Sequence, residues 1–157
     1  MYCEDVDLSL RLRLAGATLA VVPDARVTHD YEFAKGGQKW RLLERNRWAT
    51  VIRTYPTSLL LAVLPALLAA EVAVWAMALR GGWGRMKARA TLDLGLALPR
   101  LLRQRRAIQA RRQVPVSTFA AAMTAELSSP YFGTAGRQPL VRNALALYWR
   151  VARALLR

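Results

Sequence analysis

Residues 58–79 read SLLLAVLPALLAAEVAVWAMAL, a run whose one charge is Glu71 and whose one proline is Pro65. Wound as an α-helix, the run is about 33 Å long at 1.5 Å per residue, against a bilayer hydrocarbon core of about 30 Å. Apolar helices buried in soluble domains are usually shorter, so length and composition predict a membrane-embedded helix. Glu71 is costly at that depth unless it faces protein or water. Pro65 removes a helical hydrogen bond. A bent, re-entrant or shallow helix therefore competes with a straight crossing. Arginines flank both ends, Arg41, Arg45, Arg47 and Arg53 before the run, then Arg80, Arg85, Lys87 and Arg89 after it. The positive-inside rule draws both flanks to the cytoplasmic face.

The charge is unevenly spread. The 157 residues are 54% hydrophobic with net charge +14. Residues 1–57 carry 9 Lys/Arg against 7 Asp/Glu, and residues 58–157 carry 15 against 3. Phosphates reward such an excess on nucleic acid and on lipid alike. Here the arginines accompany aliphatic runs, with few aromatics interleaved for base stacking. The expected partner is therefore anionic membrane lipid, and nucleic acid is not expected. The single Cys3 allows no internal disulfide. No signal peptide is expected, because the chain opens on acids rather than on a basic and then apolar segment.

Downstream, GGWG at 81–84 reads as a turn. Residues 85–112 combine an apolar piece too short to span a bilayer, TLDLGLALPRLL, with the basic run RQRRAIQARRQ. They predict helix lying at the interface, with Trp83 near headgroup level and the arginines towards lipid. Pro115, Pro130, Gly133 and Gly136 mark 113–138 as a linker around a short helix near 117–127. The final stretch, PLVRNALALYWRVARALLR, gathers Arg142, Arg150, Arg153 and Arg157 within about 80° of arc at 100° per residue. It predicts an amphipathic helix that lies on a membrane or covers another apolar helix, the membrane being favoured.

At the other end, YCEDVDLSLRLRLAG (2–16) sends two signals. Val6, Leu8, Leu10, Leu12 and Leu14 alternate with period two, as in a strand. Glu4, Asp5 and Asp7 suit the positive end of a helix dipole, and Gly16 suits the position after a helix. The pattern alone leaves both open. Asp7 and Arg11, four apart, are expected to pair if the segment is helical. Two β-like runs follow at 18–22 and 26–29, joined by Pro23 and Asp24. Residues 36–55 return to helical spacing, with Trp40, Leu43, Arg47 and Val51 on one side.

The order EDVDLSLRLRLAG, AVVPDARVTH, ERNRW and then a long apolar segment resembles the C-terminal part of bacterial family 2 glycosyltransferases of the GT-A fold. The resemblance covers residues 1–57 and extends loosely through RRAIQARRQV. It implies an α/β fragment at 1–57, the C-terminal part of a GT-A domain. A mostly α-helical membrane-associated region follows, divided into 58–112 and 113–157. The implied reaction is inverting transfer from a nucleotide-sugar donor to a lipid-linked or cell-envelope glycan acceptor. It is assisted by Mg²⁺ or Mn²⁺ and takes place on the cytoplasmic face of a bacterial inner membrane.

By the same resemblance, the acidic motif opens a helix. Asp5 is its general base, and a carboxylate in reach of a sugar hydroxyl can take its proton. Glu4 orients the acceptor or Asp5. His29 ligates the metal. Arg45 and Arg47 meet a diphosphate or lipid phosphate, Trp40 stacks on a sugar, and the loop DYEFAKGGQKW closes over both substrates. In the family a nucleotide-binding half and an Asp-x-Asp metal motif come before this region, and neither stands ahead of Asp5 in this sequence. Met1 is therefore expected to be internal to a longer enzyme, and the chain alone to be inactive. The other reading is a non-enzymatic membrane-surface protein. Its acids are structural, Arg45 and Arg47 anchor it, and its basic helices bind anionic lipid or a partner.

Overall fold

The computed structural model describes residues 2–28, 36–126 and 138–156. The described residues form helices α1 (Glu4–Leu14), α2 (Gly36–Thr54), α3 (Thr57–Arg80), α4 (Gly84–Ala110), α5 (Val116–Ala121) and α6 (Pro139–Ala154), with no strand among them. The expected α/β fragment is therefore corrected to an all-helical arrangement. The β-like run at 18–22, and residues 26–28 of the second, are irregular and largely exposed, with Val21 90% and Val27 89% accessible. Valines favour a pleated, half-buried surface only when a neighbouring strand supplies ladder hydrogen bonds and a packed face. Neither is present among the described residues.

α1 resolves the conflict between its two periodicities in favour of helix. Its acids occupy the first turn and Arg11 and Arg13 the last, matching the helix dipole at both ends. Gly16, at φ +84°, closes it. The Gly16 N–H donates to Arg13 O and the Ala17 N–H to Leu12 O, the paired bonds of a left-handed C-terminal cap. As a helix the leucines no longer share one face. Leu14 is buried, whereas Leu8 and Leu12 remain exposed.

α2 and α4 form the central pair. They run parallel, because contacts advance together along both: Gly37 meets Met86, Glu44 meets Lys87, Arg53 meets Gln104 and Thr54 meets Gln109. Small residues permit the approach. A Cβ on Gly37 would stand 3.0 Å from the Met86 side chain, and Ala49 and Ala90 are buried. The end of α2 leaves carbonyls without intrahelical partners, and α4 supplies donors for them. The Arg105 guanidinium donates to Ile52 O and Tyr55 O, and the Gln109 amide donates to Arg53 O and Thr54 O. Part of the basic run expected to face lipid thus points inward, and burial pulls the Arg105 guanidinium below its ordinary value.

Pro56 ends α2 and caps α3, which returns antiparallel along the pair. Its two ends are held at opposite ends of α2. One is the Tyr55–Pro56 turn, and the other is the turn before α4, where Trp83 stacks on Trp40 with ring centroids 4.8 Å apart. A second core lies beside the first turns of α3. It gathers Leu14, Leu59, Phe119, Ala120 and Leu156, with Ile108 and Trp149 packed against them. This core joins α1, α3, α4, α5 and α6 across all the boundaries expected from the sequence.

Candidate functional site

Glu71, the one charge inside the apolar run, meets its partners halfway along α3. Its carboxylate accepts from Arg47 Nη2 at 2.5 Å, from Trp48 Nε1 at 2.8 Å and from Lys87 Nζ at 2.5 Å. Glu44 accepts from the same two cations, Arg47 at 2.8 Å and Lys87 at 2.5 Å. Two acids and two bases from three helices therefore close a neutral quartet. Lys87 is 1% exposed, and its ammonium lies 5.7 Å from the Trp75 ring centroid. Burial works against the Arg47 guanidinium, and the hydrogen bonds to Glu44 and Glu71 more than restore it, so its pKa lies above the ordinary value. A cleft of about 250 Å³ opens onto the quartet between Trp48, Ala90 and Leu94.

The residues expected to be functional are arranged differently. Glu4 and Asp5 are exposed on the first turn of α1, and Asp5 accepts only the N–H of its neighbour Val6 among the hydrogen bonds described for it. The α1 start docks on α2 through the Asn46 amide, which donates to Tyr2 O at 2.8 Å. Glu4, Asp5 and Arg47 all act on the Cys3 thiol through their charge. Burial, reinforced by Asp5 and Glu4, pushes the Cys3 thiol up. Asp7 lies 3.6 Å from Arg11 and 2.9 Å from Arg53.

Arg47 is held by its two carboxylates through Nε and Nη2, and Arg45 donates to Asn46 at 3.0 Å. One face of Trp40 is taken by Trp83. His29 lies outside the described residues. Among the described residues no three His, Cys, Asp or Glu side chains gather to hold an ion.

Sequence reasoning missed Glu44 and Lys87. Their 43-residue separation gives no local signal, although Glu71 announced that some partner must exist.

The outer surface carries a second pattern. On α3 the exposed large residues Leu61, Leu68, Val72 and Leu79 fall within about 40° of arc. They form an uncharged line along a helix of about 36 Å. On α6 the exposed Leu140, Leu147, Val151 and Leu155 fall within about 80°, and Arg142, Arg150 and Arg153 lie on another side. The two helices meet where the Tyr148 hydroxyl donates to the Ala62 carbonyl at 2.5 Å. The bond ties α6 to the first half of α3.

No protein-family model, characterised protein or solved structure matches this chain. Together with the absence of strands among the described residues, this overturns the resemblance to the GT-A glycosyltransferases.

Proposed function

We propose that the chain is a membrane-surface module that lies on anionic lipid with α3 in the plane of the bilayer. The observation that supports it is the exposed, uncharged stripe of α3 on a helix that runs alongside the charged pair α2 and α4. α3 is long and apolar enough to cross a membrane, yet only 11% of its most apolar window is buried. An upright crossing would carry α2 and α4 into the hydrocarbon with it. Arg85, Arg89, Arg100 and Arg103 are exposed on α4. A single arginine at the bilayer centre costs about 2.5–3.5 kcal/mol on insertion scales. Lying flat, the stripes of α3 and α6 sink about 5–10 Å into the acyl boundary while the arginines stay with the headgroups.

Sugar transfer was implied by the resemblance alone, and no feature of the described residues favours it. The proposed reading is the other of the two expected from sequence.

The test is flotation of the purified chain with phosphatidylcholine vesicles and with vesicles containing phosphatidylglycerol. Binding is expected to the anionic vesicles and to weaken with salt. Leu68→Glu, a change at a 53% exposed position that leaves the fold intact by circular dichroism, is expected to abolish it. Orientation is read from Ser58→Cys and Arg80→Cys, each in a Cys3→Ser background. Both thiols should react with an impermeant maleimide added outside sealed vesicles. Protection of one of the two would show a crossing and overturn the in-plane reading.

A further inference from the structure

A cavity of about 400 Å³ lies between α1, α2 and α4, away from the lipid-facing stripe. This is within the range of small-molecule sites. Its lining mixes two chemistries: Leu8, Leu12 and Ile108 are apolar and Arg11, Arg53 and Arg111 are cationic, Arg11 standing between Leu8 and Leu12 on one face of α1 and Arg111 one turn beyond Ile108 at the end of α4. Arg53 is fixed in place: its Nε donates to Ala49 O at 3.1 Å, its Nη1 reaches Gln104 at 3.4 Å, and its Nη2 lies 2.9 Å from Asp7.

Charge is unbalanced there. Asp7 is the carboxylate that pairs with Arg11 and with Arg53, and Arg111 has no ion pair among the described residues. Three guanidinium groups against one carboxylate leave an excess of two positive charges. Guanidinium forks suit the planar or tetrahedral oxygens of carboxylates and phosphates. The exposed leucines on either side of Arg11 suit hydrocarbon, since each buried methylene contributes about 0.8 kcal/mol.

We infer that this cavity binds a single-chain anionic amphiphile, its phosphate or carboxylate held by Arg11, Arg53 and Arg111 and its chain laid on Leu8, Leu12 and Ile108. The site is independent of the membrane-lying face, because none of these residues belongs to the α3 or α6 stripe.

The experiment titrates the full chain, in neutral dodecyl maltoside micelles, with dodecyl phosphate and separately with inorganic phosphate, by isothermal calorimetry. Dodecyl phosphate is expected to bind saturably at one equivalent, with inorganic phosphate about tenfold weaker or more, as two methylenes alone provide. Arg111→Gln removes one charge-assisted contact and is expected to weaken dodecyl phosphate about tenfold or more. Leu12→Gln does the same by removing apolar contact. Arg142→Gln removes equal charge on α6 and leaves binding unchanged.

Equal loss in Arg111→Gln and Arg142→Gln would reduce the effect to net charge and overturn the site. Equal affinity for the two phosphates would overturn the amphiphile. Unsaturable uptake would overturn both. Vesicle flotation of Arg111→Gln stays at the wild-type level, so failure of this site and failure of the membrane reading remain distinguishable.

Discussion

Replacing Lys87 by methionine tests whether the quartet holds the three long helices together. The side chain is 1% exposed, and its ammonium stands 2.5 Å from a carboxylate oxygen of both Glu44 and Glu71. Methionine fills similar volume but removes the charge. Arg47 is then left to neutralise two carboxylates whose side chains are only 11% and 20% exposed. Breaking a buried ion pair by removing one partner costs about 3–5 kcal/mol. That is a large share of the about 5–15 kcal/mol that typical domains possess.

The assay is urea unfolding in neutral detergent followed by far-UV circular dichroism, and the midpoint should fall with little change in slope. The deficit has a sign with pH. Surplus negative charge in the folded variant favours proton uptake relative to the unfolded chain. The folded state is thus relatively favoured at low pH, and the variant's deficit should be smaller near pH 4 than at pH 7. Adding Glu71→Gln restores one acid to one base, and part of the loss should return through their coupling. A loss below about 1 kcal/mol at pH 7, or a deficit indifferent to pH, would refute the view that Lys87 is a buried counter-charge.

Phe119→Ala removes a side chain that is 2% exposed in the second core, and should cost about 3–5 kcal/mol in the same unfolding assay. Arg105→Gln withdraws donors from the Ile52 and Tyr55 carbonyls. It should cost about 1–3 kcal/mol and raise amide exchange in the last turn of α2 more than elsewhere. Asp93 is held below its ordinary value of 3.8, chiefly by the hydrogen bond from Arg41. Its contribution is therefore present above pH 3.8 and lost as pH falls through the lowered value. Asp93→Asn should flatten that part of the acid limb in a stability-against-pH series.

Some of this was legible in the residues because it depends on local pattern. The apolar run at 58–79 became α3 at Thr57–Arg80, since length and composition suffice to specify a helix there. Gly16 marked the end of α1 because few other residues accept its left-handed backbone. The valines of 18–22 misled, because β-branching records a preference that only a paired strand can realise. Arg45, Arg47 and Trp40 were read as substrate-facing from the resemblance. Such a reading says nothing of Glu44, Glu71 and Trp83, which occupy Arg47 and one face of Trp40.

By itself the sequence determined where the long apolar helix lies, that its lone glutamate needs a partner, and that α6 separates its arginines from its leucines. Each follows from periodicity or from the cost of moving charge out of water, and both act over a few turns of chain. Tertiary structure alone decided that Lys87, 43 residues from Glu44, neutralises the acids. It also decided that Arg105 and Gln109 finish α2 rather than meet lipid, and that α3 lies along α2 and α4 rather than standing apart from them. These depend on which helices approach and in which direction, and that is fixed by side chains meeting across distances that no local pattern encodes.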